Sequence, residues 1–257
     1  MSLYLVFSDL HANLEALQCI HGYYKELQPD KVLFLGDVVG YGPSPCECVD
    51  FMRDWEGLVS LQGNHDFCAA GNFGDLEGYS RRAMSSLLWS NQQLDEEQQL
   101  WLRNRPNIFR EKASGFAHSS WRKPQTFPYY RSTWQVIPAM WGVDIETLFV
   151  GHMHTERVWT VKNGIFVKDS FPEQGVPLAL DSSGKNVVQL GAAGFLPEST
   201  PKRSLTANVM LYDSDADTIE YRSLDYDWET AMKKIEEMKL SVEEDEGYQE
   251  IEIPRII

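Results

Sequence analysis

The sequence is poor in positive charge, in cysteine and in long apolar runs, and each shortage excludes a class of protein. Its 257 residues include 23 lysines and arginines against 38 aspartates and glutamates, which gives a formal net charge of −15. So acidic a chain is unsuited to nonspecific binding of nucleic acid or of an anionic membrane surface. We therefore expect no nucleic acid and no membrane among its partners, although a basic local groove would still permit nucleic-acid processing.

Cysteine is scarce, with four residues in the whole chain, and this predicts no disulfide framework. No apolar run approaches the roughly 20 residues that a membrane-spanning helix needs. The first apolar run starts at Leu3, without the basic segment that opens a signal peptide. We therefore expect a cytoplasmic protein.

Cys46 and Cys48 do not form a convincing metal site. The preceding Ser44-Pro45 predicts the start of a helix, with proline at the first helical position. Each helical residue turns the chain by about 100°, so side chains two positions apart point away from each other. We interpret both cysteines as ordinary helix residues.

The most informative stretch is residues 31–42. An apolar run, Val32 to Leu35, stops at Gly36-Asp37 and opens into a glycine-rich turn, which is typical of a buried strand that ends in a carboxylate. Ligands of open α/β sheets bind at the carboxyl ends of the strands. The same pattern recurs after three other apolar segments, Leu3–Phe7, Leu58–Leu61 and Thr147–Val150, and a shorter segment, Gly115–Ala117, follows it without a trailing glycine.

Five of the six histidines follow these segments, and only His21 lies in a helical pattern. Histidines, aspartates and an asparagine at the strand ends form a candidate metal site, namely Asp9, His11, Asp37, Asn64, His118, His152 and His154. Imidazole and oxygen donors without thiolate suit Mn, Fe, Zn, Ni or Co. Seven donors are too many for one ion and suit two ions that share a bridging carboxylate.

Taken singly, each of these residues has an ordinary explanation. An aspartate at a strand end usually caps a turn, and a buried histidine is usually just hydrogen-bonded. Their joint placement favours a site, because two ions roughly 3.5–4 Å apart can activate water and hold a phosphoryl oxygen. Alternate side chains of an extended segment point the same way, so we expect Asp9 with His11, and His152 with His154, each to reach one centre.

The rest of the chain predicts an α/β organisation. Helical patterns over residues 13–27 and from Ser44 complete two βαβ units within residues 3–61. Two more helices are expected within 79–105, hairpins after Glu156, paired strands at 206–212 and 218–224, and a helix after Asp227. We predict a single domain over residues 1–240 and an acidic C-terminal tail over residues 241–257.

Four motifs follow one another along the chain, and their order is informative. They are Asp9-Leu10-His11, Gly36-Asp37-Val38-Val39-Gly40, Gly63-Asn64-His65-Asp66 and Gly151-His152-Met153-His154. With His118 before the last of them, they resemble the successive signatures of calcineurin-like metallophosphoesterases. The segment Gly40-Tyr41-Gly42-Pro43 is similar to the compact bacterial and archaeal branch of that family. The resemblance implies an α/β fold, a four-layer α/β/β/α sandwich of two mixed sheets flanked by helices.

The resemblance also implies roles. One divalent ion would be bound by Asp9, His11 and His154. The other would be bound by Asn64, His118 and His152, with Asp37 bridging the two. His65 would contact the phosphoryl oxygen or protonate the leaving group, and Asp66 would orient His65.

The function implied is a metal-dependent phosphoesterase that hydrolyses a phosphomonoester or phosphodiester of a small substrate by attack of a hydroxide bridging two metals. Alternatives are a protein Ser/Thr phosphatase acting on a phosphoprotein, and a dinucleoside-polyphosphate hydrolase acting on a nucleotide. A non-catalytic protein-binding scaffold on the same fold is a further alternative, but such proteins tend to lose ligands. We expect two loops, residues 119–131 and 195–203, to determine which substrate is bound. For residues 119–131, an ordinary surface loop with packed aromatic residues is an equally good interpretation. No particular oligomeric state is predicted.

Overall fold

Two mixed sheets, each of six strands, stack against one another in the computed structural model, which describes residues 2–73, 79–194 and 205–237. Helices cover the outer face of each sheet, so the molecule has four layers. This confirms the α/β/β/α sandwich. The loop at 195–203, the tail at 241–257 and Met238 lie outside the described residues, and the single domain over residues 1–240 stays a prediction.

The first sheet consists, in spatial order, of β3 (Leu58–Ser60), β2 (Lys31–Phe34), β1 (Leu3–Phe7), β11 (Thr206–Asp213), β12 (Thr218–Asp225) and β9 (Leu178–Ala179). Its first three strands run parallel, with Val6 opposite Leu33. On the other side of β1, the antiparallel β11 places Met210 opposite Val6. The predicted βαβ units are therefore confirmed.

The second sheet consists, in spatial order, of β4 (Ile108–Glu111), β5 (Ser114–Ala117), β6 (Thr147–Val150), β10 (Lys185–Gln189), β7 (Arg157–Lys162) and β8 (Phe166–Ser170). Strands β5, β6 and β10 run parallel, and the others pair antiparallel. The predicted hairpin over β7 and β8 is confirmed. Each sheet thus contributes parallel strands whose carboxyl ends carry the histidines and aspartates.

The helices of the described residues are α1 (Leu14–Leu27), α2 (Pro45–Asp54), α3 (Asn64–Ala69), α4 (Arg81–Gln93), α5 (Glu96–Arg103), α6 (Thr133–Met140) and α7 (Trp228–Glu237). Local signals explain several starts. The Ala16 amide donates to the Asn13 side chain, and Asp95 with Gln98 forms a reciprocal capping box. Helix α2 begins at Pro45 as predicted, but Ser44 forms no side-chain cap.

Three apolar layers hold the sandwich together. Leu5 and Phe7 of β1 pack beneath helices on the outer side of the first sheet. Tyr4 and Val6 of the same strand face the second sheet, as period-two alternation requires. On the far side of the second sheet, Val136 of α6 packs in a third layer.

Two helices are not predicted by the sequence pattern. Helix α3 begins inside the segment interpreted as a turn, at Asn64, and α6 contains Pro138 in an aromatic-rich stretch.

All four cysteines are free thiols; Cys48 is buried, and the Cys46 thiol donates to the Gln93 carbonyl at 3.2 Å. No helix among the described residues is both long enough and apolar enough to cross a bilayer.

Candidate metal centre

The carboxyl ends of strands from both sheets meet at one edge of the sandwich. Residues following β1, β2 and β3 of the first sheet lie against residues following β5 and β6 of the second. All seven predicted donors are found here, and six of them are buried. His154 is the more open one, with 20% of its side chain exposed.

One group of donors comprises Asp9, His11 and His154. His154 Nε2 lies 3.3 Å from Asp9 Oδ1 and 3.0 Å from His11 Nε2. Two imidazole nitrogens that face each other this closely need a proton or a cation between them. Nitrogen atoms bind zinc at about 2.0–2.1 Å, so both can reach one ion. This group fits a divalent metal.

A second group comprises Asp37, His118 and His152. His118 Nε2 lies 3.3 Å from Asp37 Oδ2, 3.0 Å from Asn64 Oδ1 and 3.2 Å from His152 Nδ1. Asn64 is thereby drawn into this group.

The tautomer of His118 supports a cation at this second group. His118 Nδ1 lies 3.1 Å from the Leu35 carbonyl oxygen, which can only accept a hydrogen bond. Nδ1 therefore carries a proton, and Nε2 of the neutral ring presents a lone pair to Asp37 and Asn64. Three electron-rich atoms around that lone pair are stable only with a proton or a metal ion among them.

Asp37 connects the two groups. Besides its place beside His118 and His152, its carboxylate forms a further group with His11 and His65. The position is the one expected of a bridging ligand.

The backbone at these strand ends is left-handed. Asp9, His11 and Asp37 have φ values of 59°, 53° and 65°, and His152 and His154 have 67° and 57°. The segments are therefore not extended as expected, although Asp9 and His11 do share one group. Sharp turns aim the side chains instead, and His152 and His154 enter different groups. Such turns at non-glycine residues cost roughly 1–3 kcal/mol each and concentrate at functional sites.

Main-chain hydrogen bonds hold two of these turns against each other. The Asp9 amide donates to the Gly36 carbonyl at 2.9 Å, and the Leu10 and His11 amides donate to Asp37 at 2.9 and 3.0 Å. From the second sheet, the His152 amide donates to the Asp9 carboxylate at 3.0 Å. The turns are thus mutually supporting, and the donors are placed before any ligand arrives.

The charges of the centre suit a cation. Burial raises the pKa of Asp37, but His118 and His65 outweigh burial and hold it well below its ordinary value. Burial lowers the pKa of His118, but Asp37 and Asp9 outweigh burial and raise it to about 9. Burial, with neighbouring imidazoles, lowers the pKa of His11 and of His152 to about 3. Without metal, carboxylates and neutral imidazoles coexist, and His118 holds a proton in their midst.

His65 lies beside the centre in a closely packed position. Its amide donates to Asp37 Oδ1 at 2.9 Å, and its ring centroid lies 4.8 Å from those of His11 and Tyr41. Its Nδ1 is buried without a hydrogen-bond partner among the described residues. A β-carbon on Gly40 would lie 2.2 Å from that atom. Glycine at this position therefore makes room for the imidazole.

Asp66 contacts backbone rather than the His65 ring. Its carboxylate accepts the amides of Asp37 and Val38 at 2.8 Å and that of Gly63 at 3.0 Å. Burial and the Asp37 charge raise the pKa of Asp66 to about 7, against the lowering effect of the donating amides. Among the described residues no hydrogen bond joins Asp66 to the His65 imidazole. Asp66 thus contacts the turn that carries Asp37, and the Asp37 carboxylate in turn accepts the His65 amide.

Aromatic residues not anticipated from the motifs complete the surroundings. The Asn64 side-chain amide donates to the Tyr79 hydroxyl at 2.8 Å, which directs the Asn64 oxygen towards His118. Tyr41 packs on His11, and Tyr129 stacks on His152. Tyr41 belongs to a recognised motif and could have been proposed from it. The contact of Tyr79 is long-range and leaves no local signal, whereas Tyr129 lies in the loop 119–131 that the sequence already indicated.

A four-layer sandwich with clustered histidines and aspartates at the meeting edge of its sheets defines a metal-dependent phosphoesterase class. The family model for calcineurin-like phosphoesterases matches residues 3–156. The chain belongs to this family, which acts on phosphate ester bonds as a hydrolase and depends on metal. The resemblance read from the motifs is confirmed.

Individual relatives agree with this assignment. An uncharacterized protein of Methanocaldococcus jannaschii is 28% identical over 243 residues, which cover 93% of this chain and 94% of that protein. The crystal structure of a metallophosphoesterase from Sphaerobacter thermophilus superposes with a TM-score of 0.78 at 27% identity, covering 92% of this chain and 94% of its own. A hypothetical protein from Pyrococcus horikoshii OT3 shares the fold, with a TM-score of 0.74, 20% identity and coverages of 95% and 96%.

Proposed function

We propose that the protein hydrolyses a small phosphomonoester or phosphodiester at this cluster. The observation that carries the proposal is the convergence of seven oxygen and nitrogen donors into two adjacent groups. Asp37 belongs to one of them and lies beside His11 of the other. In this proposal Asp9, His11 and His154 hold one divalent ion. Asn64, His118 and His152 hold the other.

Two divalent ions, drawn from Mn, Fe, Zn, Ni and Co, would activate a water and neutralise charge on the phosphoryl group. The residues of the chain supply the remaining functions. The turns at Asp9 and Asp37 fix the carboxylates, and the hydrogen bond from His118 to Leu35 fixes its ring orientation. Burial of the donors keeps bulk water away from the charges that bind the phosphoryl group.

His65 is the group proposed to act on the phosphoryl oxygen or on the leaving group. It lies against His11 and Tyr41, next to the donors but outside their two principal groups. A histidine there can donate a hydrogen bond or a proton to an ester oxygen. Asp66 is proposed as a positioning residue that acts through the Asp37 turn. The resemblance implied that Asp66 orients His65, and this proposal keeps that role but assigns it to hydrogen bonds with the backbone rather than to a bond with the His65 ring.

The complete set of donors favours an enzyme over a protein-binding scaffold. A scaffold would have no use for five donors in strained turns, four of them buried, around one cluster. No contact within the described residues favours a phosphoprotein or a dinucleoside polyphosphate in particular, so these remain alternative substrates. A cytoplasmic location also stays a prediction.

The test measures hydrolysis of para-nitrophenyl phosphate and of its bis ester by metal-stripped protein, with each divalent ion restored singly. We expect activity to return with metal, and the ratio of the two rates identifies a monoesterase or a diesterase.

In the restored enzyme, His65→Gln should lower kcat by roughly 10²–10⁴ without loss of bound metal. His21→Gln is the matched control, since His21 lies on α1 among aromatic rings. Full metal binding without hydrolysis of either ester would refute the proposal.

A further inference from the structure

The loop after β5 covers the second donor group. The Phe127 ring centroid lies 5.9 Å from that of His118. Tyr129 stacks on His152, with ring centroids 4.1 Å apart and planes inclined by 24°. Of the two readings of residues 119–131, a surface loop and a substrate-contacting loop, this placement favours the second.

The loop is anchored where it passes the centre. Tyr130 is buried in the apolar layer under α6, with 5% of its surface exposed, whereas its neighbour Tyr129 is 43% exposed. The Ser119 hydroxyl donates to the Pro128 carbonyl. Phe127 has a φ of 41°, which a phenylalanine adopts only when its surroundings impose it. Tyr129 is therefore presented at the mouth of the site by a fixed support.

Arg131 is held on this tyrosine. Its guanidinium carbon lies 4.7 Å from the Tyr129 ring centroid, within cation–π range. The His152 and Tyr129 ring centroids are 4.1 Å apart, and the Arg131 guanidinium lies 4.7 Å from the Tyr129 centroid. The distance from the guanidinium to the His152 ring centroid therefore cannot exceed the sum of these two distances. A cation is thus placed within reach of a small ligand bound at the metal centre.

The Arg131 guanidinium has no hydrogen bond and no ion pair within the described part of the chain, although acidic residues outnumber basic ones by 38 to 23. Nearby arginines are engaged. Arg157 forms an ion pair with Asp169, and Arg122 donates to the Trp141 carbonyl at 3.1 Å. An exposed arginine that is positioned by stacking but lacks an acidic partner is suited to bind an anion from outside the chain.

We propose that Arg131, supported by Tyr129, binds a second anionic group of the substrate, a carboxylate or a phosphate. This inference rests on the proposed function, in which the scissile phosphoryl group occupies the metal centre. In that function the metal ions would neutralise the phosphoryl charge, so Arg131 is left for a different group. The substrates are then small phosphoesters that carry a further negative charge a few bonds from the ester. The planar guanidinium can hold such a group through two parallel hydrogen bonds.

The test uses two non-hydrolysable ligands of similar size, 3-phosphonopropionate and propylphosphonate, which differ in the second anionic group. Their binding to the manganese-loaded protein is measured by titration calorimetry. We expect the wild-type protein to bind 3-phosphonopropionate about tenfold more tightly, the value of one charge-assisted hydrogen-bonded contact. Arg131→Gln should abolish that preference and leave propylphosphonate binding unchanged. Arg122→Gln, in the same loop, is the control and should keep the preference.

The outcomes separate this inference from the proposed function. If para-nitrophenyl phosphate is hydrolysed but Arg131→Gln retains the tenfold preference, Arg131 does not bind the second group and only this inference falls. The same holds if the wild-type protein shows no preference. If neither phosphonate binds and no ester is hydrolysed with any metal, the proposed function fails and this inference fails with it.

Discussion

At the scale of single residues, the centre depends on conformations that few side chains adopt. Five of the donors occupy left-handed turns, and glycines stand where a β-carbon would strike a functional side chain. A β-carbon at Gly63, for example, would lie 2.0 Å from Asp37 Oδ1. The motif glycines are therefore part of the site's geometry rather than markers of flexible chain.

Gly40→Ala tests this directly. The added methyl group would lie 2.2 Å from His65 Nδ1, and Gly40 has a φ of 87°. We expect the imidazole to be displaced and kcat for para-nitrophenyl phosphate to fall at least tenfold, with the content of bound metal unchanged. The measurement combines steady-state kinetics with metal analysis.

Gly57→Ala is the control that separates crowding from backbone strain. Gly57 has a φ of 80°, but no atom of the described residues lies within 4 Å of an added β-carbon. This variant should lose roughly 1–2 kcal/mol of unfolding free energy from left-handed strain and keep its kcat. Equal kcat losses in both variants would show that the contact between Gly40 and His65 has no functional role.

At the scale of elements, strand ends were predictable and the connections between them were not. The runs that form β1, β2 and β6 are largely apolar and are followed within two residues by glycine or aspartate, so strand and donor could be located together. Helix α5 could be predicted from the residues of its capping box, Asp95 and Gln98. Helix α6 did not, because Pro138 interrupts the helical pattern.

The donor residues could be predicted because they follow the apolar strands, but the directions of their side chains could not. Histidine and aspartate carry no local signal for a left-handed φ, so the extended interpretation of Asp9 and His11 was natural and wrong. The hydrogen bond from Asn64 to Tyr79 joins different elements and depends on tertiary packing. The resemblance supplied the division into two groups, which the spacing alone left open.

Hydrogen bonds to the Asp66 carboxylate connect two elements, the turn after β2 and the start of α3. Each carboxylate oxygen accepts two amides, with Asp37 and Gly63 on one and Val38 and Val39 on the other. In Asp66→Asn one acceptor becomes a donor, so two buried amides lose their partner. We expect the unfolding free energy to fall by about 2–4 kcal/mol, measured by urea denaturation.

Asp95→Asn provides the comparison for that measurement. Asp95 caps α5 through Oδ1, which accepts the Gln98 amide at 2.8 Å, and asparagine caps helices equally well. Its unfolding free energy should change by only a few tenths of a kcal/mol. A loss in Asp66→Asn no larger than in Asp95→Asn would mean that the Asp66 carboxylate does not hold the turn.

At the scale of the whole molecule, the centre joins the two sheets. Asp9, Asp37 and Asn64 follow strands of the first sheet, whereas His118 and His152 follow strands of the second. A metal ion bound by both sets would link the halves of the sandwich. Because the unfolded chain cannot assemble such a site, metal binding should stabilise the entire fold, by about 2.7 kcal/mol at a free concentration of 100 Kd.

That stabilisation should depend on pH through His118. Its pKa of about 9 lies above the ordinary value of 6.5 because of Asp37 and Asp9, so the metal-free folded state holds the proton at neutral pH. The ion pair therefore stabilises the metal-free fold below about pH 6.5, and its contribution is lost as pH rises through 9. Metal must displace this proton, so its apparent affinity should rise by up to tenfold per pH unit between pH 7 and 8.5, about 1.4 kcal/mol of added stability per unit.

The measurement is the difference in Tm between metal-stripped and manganese-loaded protein, at a fixed free manganese concentration, across that pH range. The difference should widen as pH rises. His118→Asn keeps a side-chain oxygen near the centre but has no proton to displace, so its smaller Tm difference should change little with pH. A wild-type difference that is constant from pH 7 to 8.5 would show that His118 is already neutral in the metal-free protein. The lone pair on Nε2 would then face Asp37 and Asn64 uncompensated, and the case for a cation bound between the two sheets would rest on the first donor group alone.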